Sequence, residues 1–120
     1  GYRNGAYVSA SKPFYGTDAA CWCTGAIVVQ PSDVIYVKGA TLEGSGHERL
    51  GAFSGYSGGC FWAKAYTALS GMATVTKLGD KYYKIVLDQS NVNYSYIGYI
   101  MFSAQGTGDG VVVTKNEEIA

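Results

Sequence analysis

The stretch from Val28 to Gly39 limits the folds open to this chain more than any other part of the sequence. Two runs of mostly β-branched residues, Val28–Val29 and Val34–Val37, flank Pro31-Ser32-Asp33. Proline fixes φ near about −65° at the first corner of a turn, and an aspartate side chain can bond its own backbone two residues on. The pattern therefore predicts a strand, a reversing turn and a second strand that is apolar on both faces.

Similar short runs recur along the chain, roughly 8 to 12 residues apart, with glycine, serine or asparagine in the turns between them. An Asn4-Gly5 hairpin turn is expected to close the first strand. The segment from Cys60 to Tyr66 also fits helical spacing, and strand is preferred there because glycines bound it closely. The predicted strands are Ala6–Ser9, Trp22–Val29, Val34–Val37, Arg49–Ser54, Cys60–Tyr66, Met72–Leu78, Tyr82–Asp88, Tyr96–Ser103 and Val111–Thr114.

This spacing predicts an all-β fold, an antiparallel β-sandwich of about eight short strands with a jelly-roll-like arrangement. The 120 residues suffice for one core, so we expect a single domain over residues 1–120. The composition, with 17 glycines and 11 tyrosines, suits a turn-rich β protein. The chain begins inside a patterned segment, which indicates a piece of a longer protein.

The charge balance and the hydropathy pattern exclude two classes of partner. Nine basic and nine acidic residues cancel, and no lysine or arginine cluster is present to bind phosphate backbones. We therefore expect no nucleic acid partner. We also expect no membrane insertion, because no apolar run approaches the roughly 18 residues that a membrane-spanning helix needs.

The three cysteines, Cys21, Cys23 and Cys60, are expected to be reduced and mostly buried. Cys21 and Cys23 would share one face of a strand, where they are poorly placed to bond each other. Free thiols indicate folding in a reducing cytosol. The Cys-x-Cys spacing does not suit zinc and further ligands are lacking, so we expect no metal.

Catalytic constellations are not evident in the sequence. His47 is the single histidine, and no recognisable triad surrounds it. A carboxylate pair for glycoside hydrolysis cannot be assigned, because the acidic residues lie mainly at predicted turns: Asp18, Glu43, Glu48, Asp88 and Asp109. We expect a protein that is not an enzyme and has no cofactor, with a polysaccharide depolymerase as the less favoured alternative.

Aromatic residues are in excess, and exposed aromatic rings stack on the apolar faces of sugars while polar neighbours bond the hydroxyls. Core positions are predicted for Trp22, Phe53, Tyr83 and Phe102. On the late strand, the outward set Ile97, Tyr99 and Met101 packs against either a neighbouring subunit or a covering loop. The predicted glycan-binding residues are Tyr15, Tyr56, Trp62, Tyr66, Tyr94 and Tyr96, with Asp18, Arg49 and Asn93 as polar neighbours.

Four segments occur in an order and spacing typical of one family: Gly1-Tyr2-Arg3, Val29–Gly39, Tyr99–Ser103 and Val112–Ile119. In these segments the chain resembles the carbohydrate-binding-module-like β-sandwich near the C-termini of phage tail-fibre, baseplate and other minor structural proteins. The resemblance implies a non-enzymatic virion module, assembled in bacterial cytoplasm, that attaches to bacterial surface or mucosal glycans. It also implies a homo-trimer or contacts with other virion proteins, and a purely structural or trimerisation domain is the alternative.

Overall fold

The computed structural model describes residues 2–9, 15–30, 32–42, 49–53, 58–62, 73–87 and 99–120. At 49–53, 58–62, 73 and 87 it describes the backbone alone. The strands in the described residues are β1 (Tyr2–Val8), β2 (Tyr15–Thr24), β3 (Ile27–Val28), β4 (Val34–Lys38), β5 (Arg49–Phe53), β6 (Gly58–Trp62), β7 (Ala73–Gly79), β8 (Tyr82–Leu87), β9 (Tyr99–Gln105) and β10 (Val112–Lys115).

The strands form two antiparallel sheets, which confirms the predicted all-β sandwich. Sheet A has the order β1-β2-β9-β5-β6, with the short β3 also paired to β9, and sheet B has the order β10-β4-β8-β7. The chain passes from one sheet to the other after β3, β4, β6, β8 and β9. Consecutive strands pair within a sheet only as β1–β2, β5–β6 and β7–β8.

The core lies between the sheets and contains three of the four predicted core aromatics. Trp22 and Phe102 of sheet A meet edge to face at 6.2 Å, and Tyr83 of sheet B is fully buried. The alternation predicted for β8 is confirmed at Tyr83 and Ile85, which both face the core. Phe53 lies in β5, where side chains are not described.

The turn predicted at Pro31-Ser32-Asp33 is confirmed at Ser32 and Asp33, while Pro31 lies outside the described residues. The strands on its two sides do not pair with each other. β3 belongs to sheet A and β4 to sheet B, so the turn carries the chain across the sandwich. The Asp33 amide donates to the Gln30 carbonyl at 3.1 Å, and the Asp33 carboxylate accepts from the Gln30 amide at 2.8 Å. The carboxylate therefore bonds backbone three residues back, rather than two residues on as the sequence predicted.

The predicted Asn4-Gly5 hairpin turn is wrong, because both residues lie inside β1. The β1–β2 register shifts between Asn4 and Ala6, and Gly5 has a φ of 83°. Such a positive φ is typical of a glycine in a β-bulge, which bends a strand without ending it. The asparagine–glycine pair thus lies at a register irregularity, where Gly5 is opposite residues 18–21 of β2, instead of forming a hairpin turn.

Beyond the bulge, the β1–β2 hairpin covers part of the outer face of sheet A. Ala6, Val8, Cys23 and Met101 form a second buried cluster, with Tyr99 half-buried against it. The Val8 amide donates to the buried Ser103 hydroxyl at 3.1 Å, which ties the hairpin to β9. A covering element, rather than a neighbouring subunit, therefore buries Met101, while Ile97 lies outside the described residues.

The predicted strand from Trp22 to Val29 is broken into β2 and β3. Cys23 pairs with Ser103 and Ile27 with Ile100, so three residues of one strand oppose two of β9. At this irregularity the buried Thr24 hydroxyl accepts the Phe102 amide at 3.1 Å. The side chain replaces a backbone partner that the ladder cannot supply.

The remaining sequence predictions divide into those that the described residues test and those that they do not. Cys21 and Cys23 are buried and unbridged, as expected, and burial raises the pKa of the Cys23 thiol, with the Arg3 charge opposing that shift. Strand is confirmed at Gly58–Trp62, and residues 63–72 lie outside the described ranges. The described ranges contain no helix that is long and apolar enough to cross a membrane.

Candidate functional site

A cleft of about 340 Å³ opens between the two sheets where β10 forms the edge of sheet B. Sheet A contributes Tyr2, Trp22, Thr24 and Ile27 to its walls, and sheet B contributes Ile35, Val113, Thr114 and Lys115. Gly108 and Val111, from the link between β9 and β10, complete the described lining. The volume is at the lower end of the range for small-molecule sites.

Part of the lining of the cleft is aromatic. The Tyr2 side chain is 52% exposed, and its ring meets the buried Trp22 edge to face at 6.4 Å. Gly108 lies against both rings: a Cβ at this position would come within 2.5 Å of Tyr2 Cδ2 and 2.9 Å of Trp22 Cε3. Glycine at position 108 therefore allows the Tyr2 and Trp22 rings to pack directly against the backbone.

Polar groups beside Tyr2 hold it in place. The Tyr2 hydroxyl donates to the Asp109 carboxylate at 2.5 Å, and the Asn4 amide group donates to the same oxygen at 3.5 Å. Asn4 also accepts the Gly108 amide at 2.9 Å. The hydrogen bond from Tyr2, followed by those from Asn4 and Thr107, holds the pKa of Asp109 below its usual range, while the same bond raises the pKa of Tyr2.

The lining of the cleft also carries a positive charge. Lys115, at the end of β10, donates through Nζ to the Val28 carbonyl of β3 at 3.2 Å. It lies opposite Ile35 in the β10–β4 register, on the side that faces sheet A. The Lys115 charge also contributes to lowering the pKa of Asp33, after the larger effects of the Gln30 amide and the Asn116 side chain.

The described lining of the cleft includes two aromatic residues, two threonines and one lysine. It holds no carboxylate among the described residues. Glycoside hydrolysis needs two carboxyl groups facing one bond. Across the described ranges, no three His, Cys, Asp or Glu side chains cluster as metal ligands would.

Of the residues predicted to bind glycans, the two whose side chains the structure describes, Tyr15 and Asp18, are not part of the described lining of the cleft. Tyr15 is half-buried against the second cluster, with the Arg3 guanidinium 4.3 Å from its ring centre. Asp18 accepts the Ala20 amide at 2.9 Å in the irregular part of β2. Arg49 and Trp62 are opposite each other in the β5–β6 register, but their side chains are not described. The other predictions lie outside the described residues: Tyr56, Tyr66, Asn93, Tyr94 and Tyr96.

The sequence analysis does not assign Tyr2, Asp109 or Lys115 to a binding site. It places Asp109 at a turn, and Tyr2 and Lys115 fall within two of the segments that resemble the phage family. Tyr2 and Asp109 are 107 positions apart, and they meet only because β2 and β9 pair. The one local signal was the glycine-rich loop around Gly108, because repeated glycines permit close approach of other groups.

No family model, curated protein or solved structure matches this chain. The resemblance to phage tail modules therefore stays a prediction from the sequence. The case for a function depends on the cleft.

Proposed function

We propose that this domain is a non-enzymatic carbohydrate-binding module and that the cleft at the edge of β10 is its saccharide site. The observation that carries the proposal is the half-exposed Tyr2 ring, which lines the cleft and is fixed by Asp109, Trp22 and Gly108. Sugar rings stack on aromatic faces, and a ring that is already held in place loses little freedom on binding.

The threonines supply the polar contacts that a sugar requires. Thr24 and Thr114 line the cleft, and a hydroxyl group can both donate and accept a hydrogen bond. The Thr114 hydroxyl already donates to the Glu117 carbonyl, so towards a ligand it can act as an acceptor. The Thr24 hydroxyl already accepts the Phe102 amide, so its own hydrogen is available to a ligand oxygen. A shallow site of this kind binds a single sugar weakly and gains strength from several copies.

The setting follows from the sequence resemblance, and it is part of the proposal. The module would belong to a phage tail or appendage and would bind bacterial surface or mucosal glycans. Several copies on a trimeric fibre would supply the avidity that one shallow cleft lacks.

The test is binding to a glycan array by the protein displayed in several copies on a bead. Wild-type protein should bind at least one saccharide class, Tyr2→Ala should lose that binding, and Tyr2→Phe should keep most of it because the ring remains. Failure of the wild-type protein to bind any saccharide, or equal binding by Tyr2→Ala, would contradict the proposal.

A second candidate function, a structural or oligomerisation domain, is favoured by the apolar residues exposed on β10. Val112 and Val113 are 46% and 36% exposed on a strand that is paired on one side only, to β4. Light scattering separates the two candidates: a monomer at micromolar concentration counts against the interface. Release of reducing ends from a bound polysaccharide would instead support the depolymerase alternative.

A further inference from the structure

We infer that the cleft selects acidic saccharides and that Lys115 binds the carboxylate of the sugar. This inference rests on the proposed carbohydrate function and names the ligand class for the same site. The chemistry is that of a uronic acid, in which a carboxylate extends from a pyranose ring.

The distribution of charge along the cleft supports the inference. Of the ten described residues that line the cleft, Lys115 is the one that carries a formal charge. Its Nζ donates one of its three hydrogens to the uncharged backbone carbonyl of Val28. The ammonium group therefore has donors left for a ligand.

Two carboxylates lie near the cleft, and protein donors already occupy both. Asp109 accepts from Tyr2, Asn4 and Thr107. Asp33 accepts from the Gln30 amide and the Asn116 side chain. Because both carboxylates already accept hydrogen bonds from the protein, the Lys115 ammonium is the group in the cleft best able to bind the carboxylate of a ligand.

The Tyr2 ring and the Lys115 ammonium group, which both belong to the lining of the cleft, match the two parts of such a sugar. The Tyr2 ring suits the apolar face of the pyranose, and Lys115 suits the carboxylate attached to it. An exposed ion pair of this kind contributes a preference of about two- to fivefold over a neutral sugar of the same shape. The preference should decrease as salt concentration rises.

The experiment compares acidic polysaccharides with their carboxyl-reduced forms, which keep the linkage and lose the charge. Polygalacturonate, alginate and hyaluronate, each with its reduced counterpart, would be measured by biolayer interferometry against protein displayed in several copies. Wild-type protein should prefer at least one acidic form by about two- to fivefold. Lys115→Gln should remove that preference, and Lys115→Arg should keep it.

Lys84→Gln is the matched control, because it removes one positive charge from β8, away from the described lining of the cleft. Near-ultraviolet circular dichroism would verify the fold of each variant. Equal binding of the acidic and reduced forms by wild-type protein would overturn the inference and leave the proposed function standing. The inference also fails if Lys115→Gln keeps the preference. If wild-type protein binds neither form of any of the three polysaccharides, and the glycan array is also negative, the proposed function is overturned as well.

Discussion

Asn116 joins the turn after β3 to the end of β10, and its removal should destabilise the sandwich measurably. Its side chain accepts the Val34 amide at 2.9 Å and donates to the Asp33 carboxylate at 3.1 Å. Its backbone amide donates to the Val34 carbonyl at 2.7 Å, and its φ is 62°. Asparagine tolerates this left-handed conformation better than most residues, while alanine does not.

Two substitutions separate the hydrogen bonds from the backbone conformation. Asn116→Gly removes both side-chain bonds without backbone strain and should lower the free energy of unfolding by about 1–3 kcal/mol, since each such bond contributes about 0.5–1.5 kcal/mol. Asn116→Ala adds the cost of a left-handed alanine, about 1 kcal/mol more. Urea unfolding at neutral pH, followed by tryptophan fluorescence, measures both.

A double-mutant cycle with Asp33→Ala isolates the bond between the two side chains. We expect a coupling free energy of about 0.5–1.5 kcal/mol. The pKa of Asp33 is lowered in the folded protein. The stabilisation that this carboxylate contributes is therefore fully present above its unfolded pKa of about 3.9, and it is lost as pH falls through the folded pKa. The stability difference between wild type and Asn116→Gly should therefore narrow in acid. A zero coupling, or a difference that is constant from pH 7 to pH 2, would refute the reasoning.

Three further predictions concern the covering hairpin and the cleft. Ser103→Ala removes the acceptor of the buried Val8 amide and should cost about 1–3 kcal/mol in urea unfolding, with faster hydrogen exchange at Val8; an unchanged exchange rate would contradict it. Gly108→Ala places a Cβ against Tyr2 and Trp22 and should weaken saccharide binding, whereas Gly79→Ala, where a Cβ meets no atom within 4 Å, should not. Asp109→Asn should lower the pKa of Tyr2 in an ultraviolet titration, because the carboxylate raises it. In the wild-type protein this contact stabilises the fold at neutral pH and is lost as pH rises through the raised pKa of Tyr2, so an identical titration in both proteins would argue against the bond.

The sandwich itself could be predicted because its signals are local. Alternation around Tyr83 and Ile85, and glycine-rich turns between short β-branched runs, each depend on a few neighbouring residues. Trp22 and Phe102 are predicted to be core residues on strands with two apolar faces, and burial is the usual outcome for such large apolar side chains. Both are 1% exposed or less.

The cleft could not be predicted, because its parts meet only through long-range pairing. The same turn residues, Pro31-Ser32-Asp33, suit a connection between two sheets and a connection between two neighbouring strands. The sequence alone therefore does not distinguish the two arrangements. Asn4-Gly5 is equally ambiguous, because a positive φ serves a hairpin turn and a β-bulge alike. Beyond this irregularity Ala6 and Val8 pack against Cys23 and Met101 of sheet A, and this placement could be learned only from the structure.

Lys115 also has a consequence for how copies of this domain behave when they are crowded together. Among the described strands β10 pairs with β4 alone, and a strand edge without a partner invites strands of other molecules to add to the sheet. A lysine on the inward side of an edge strand opposes that addition, because a docking strand would have to bury its charge. Lys115, which we assign to binding the carboxylate of the ligand, thus also opposes edge-to-edge pairing of β10 between molecules. Many copies of the domain could then be placed side by side without association of their sheets.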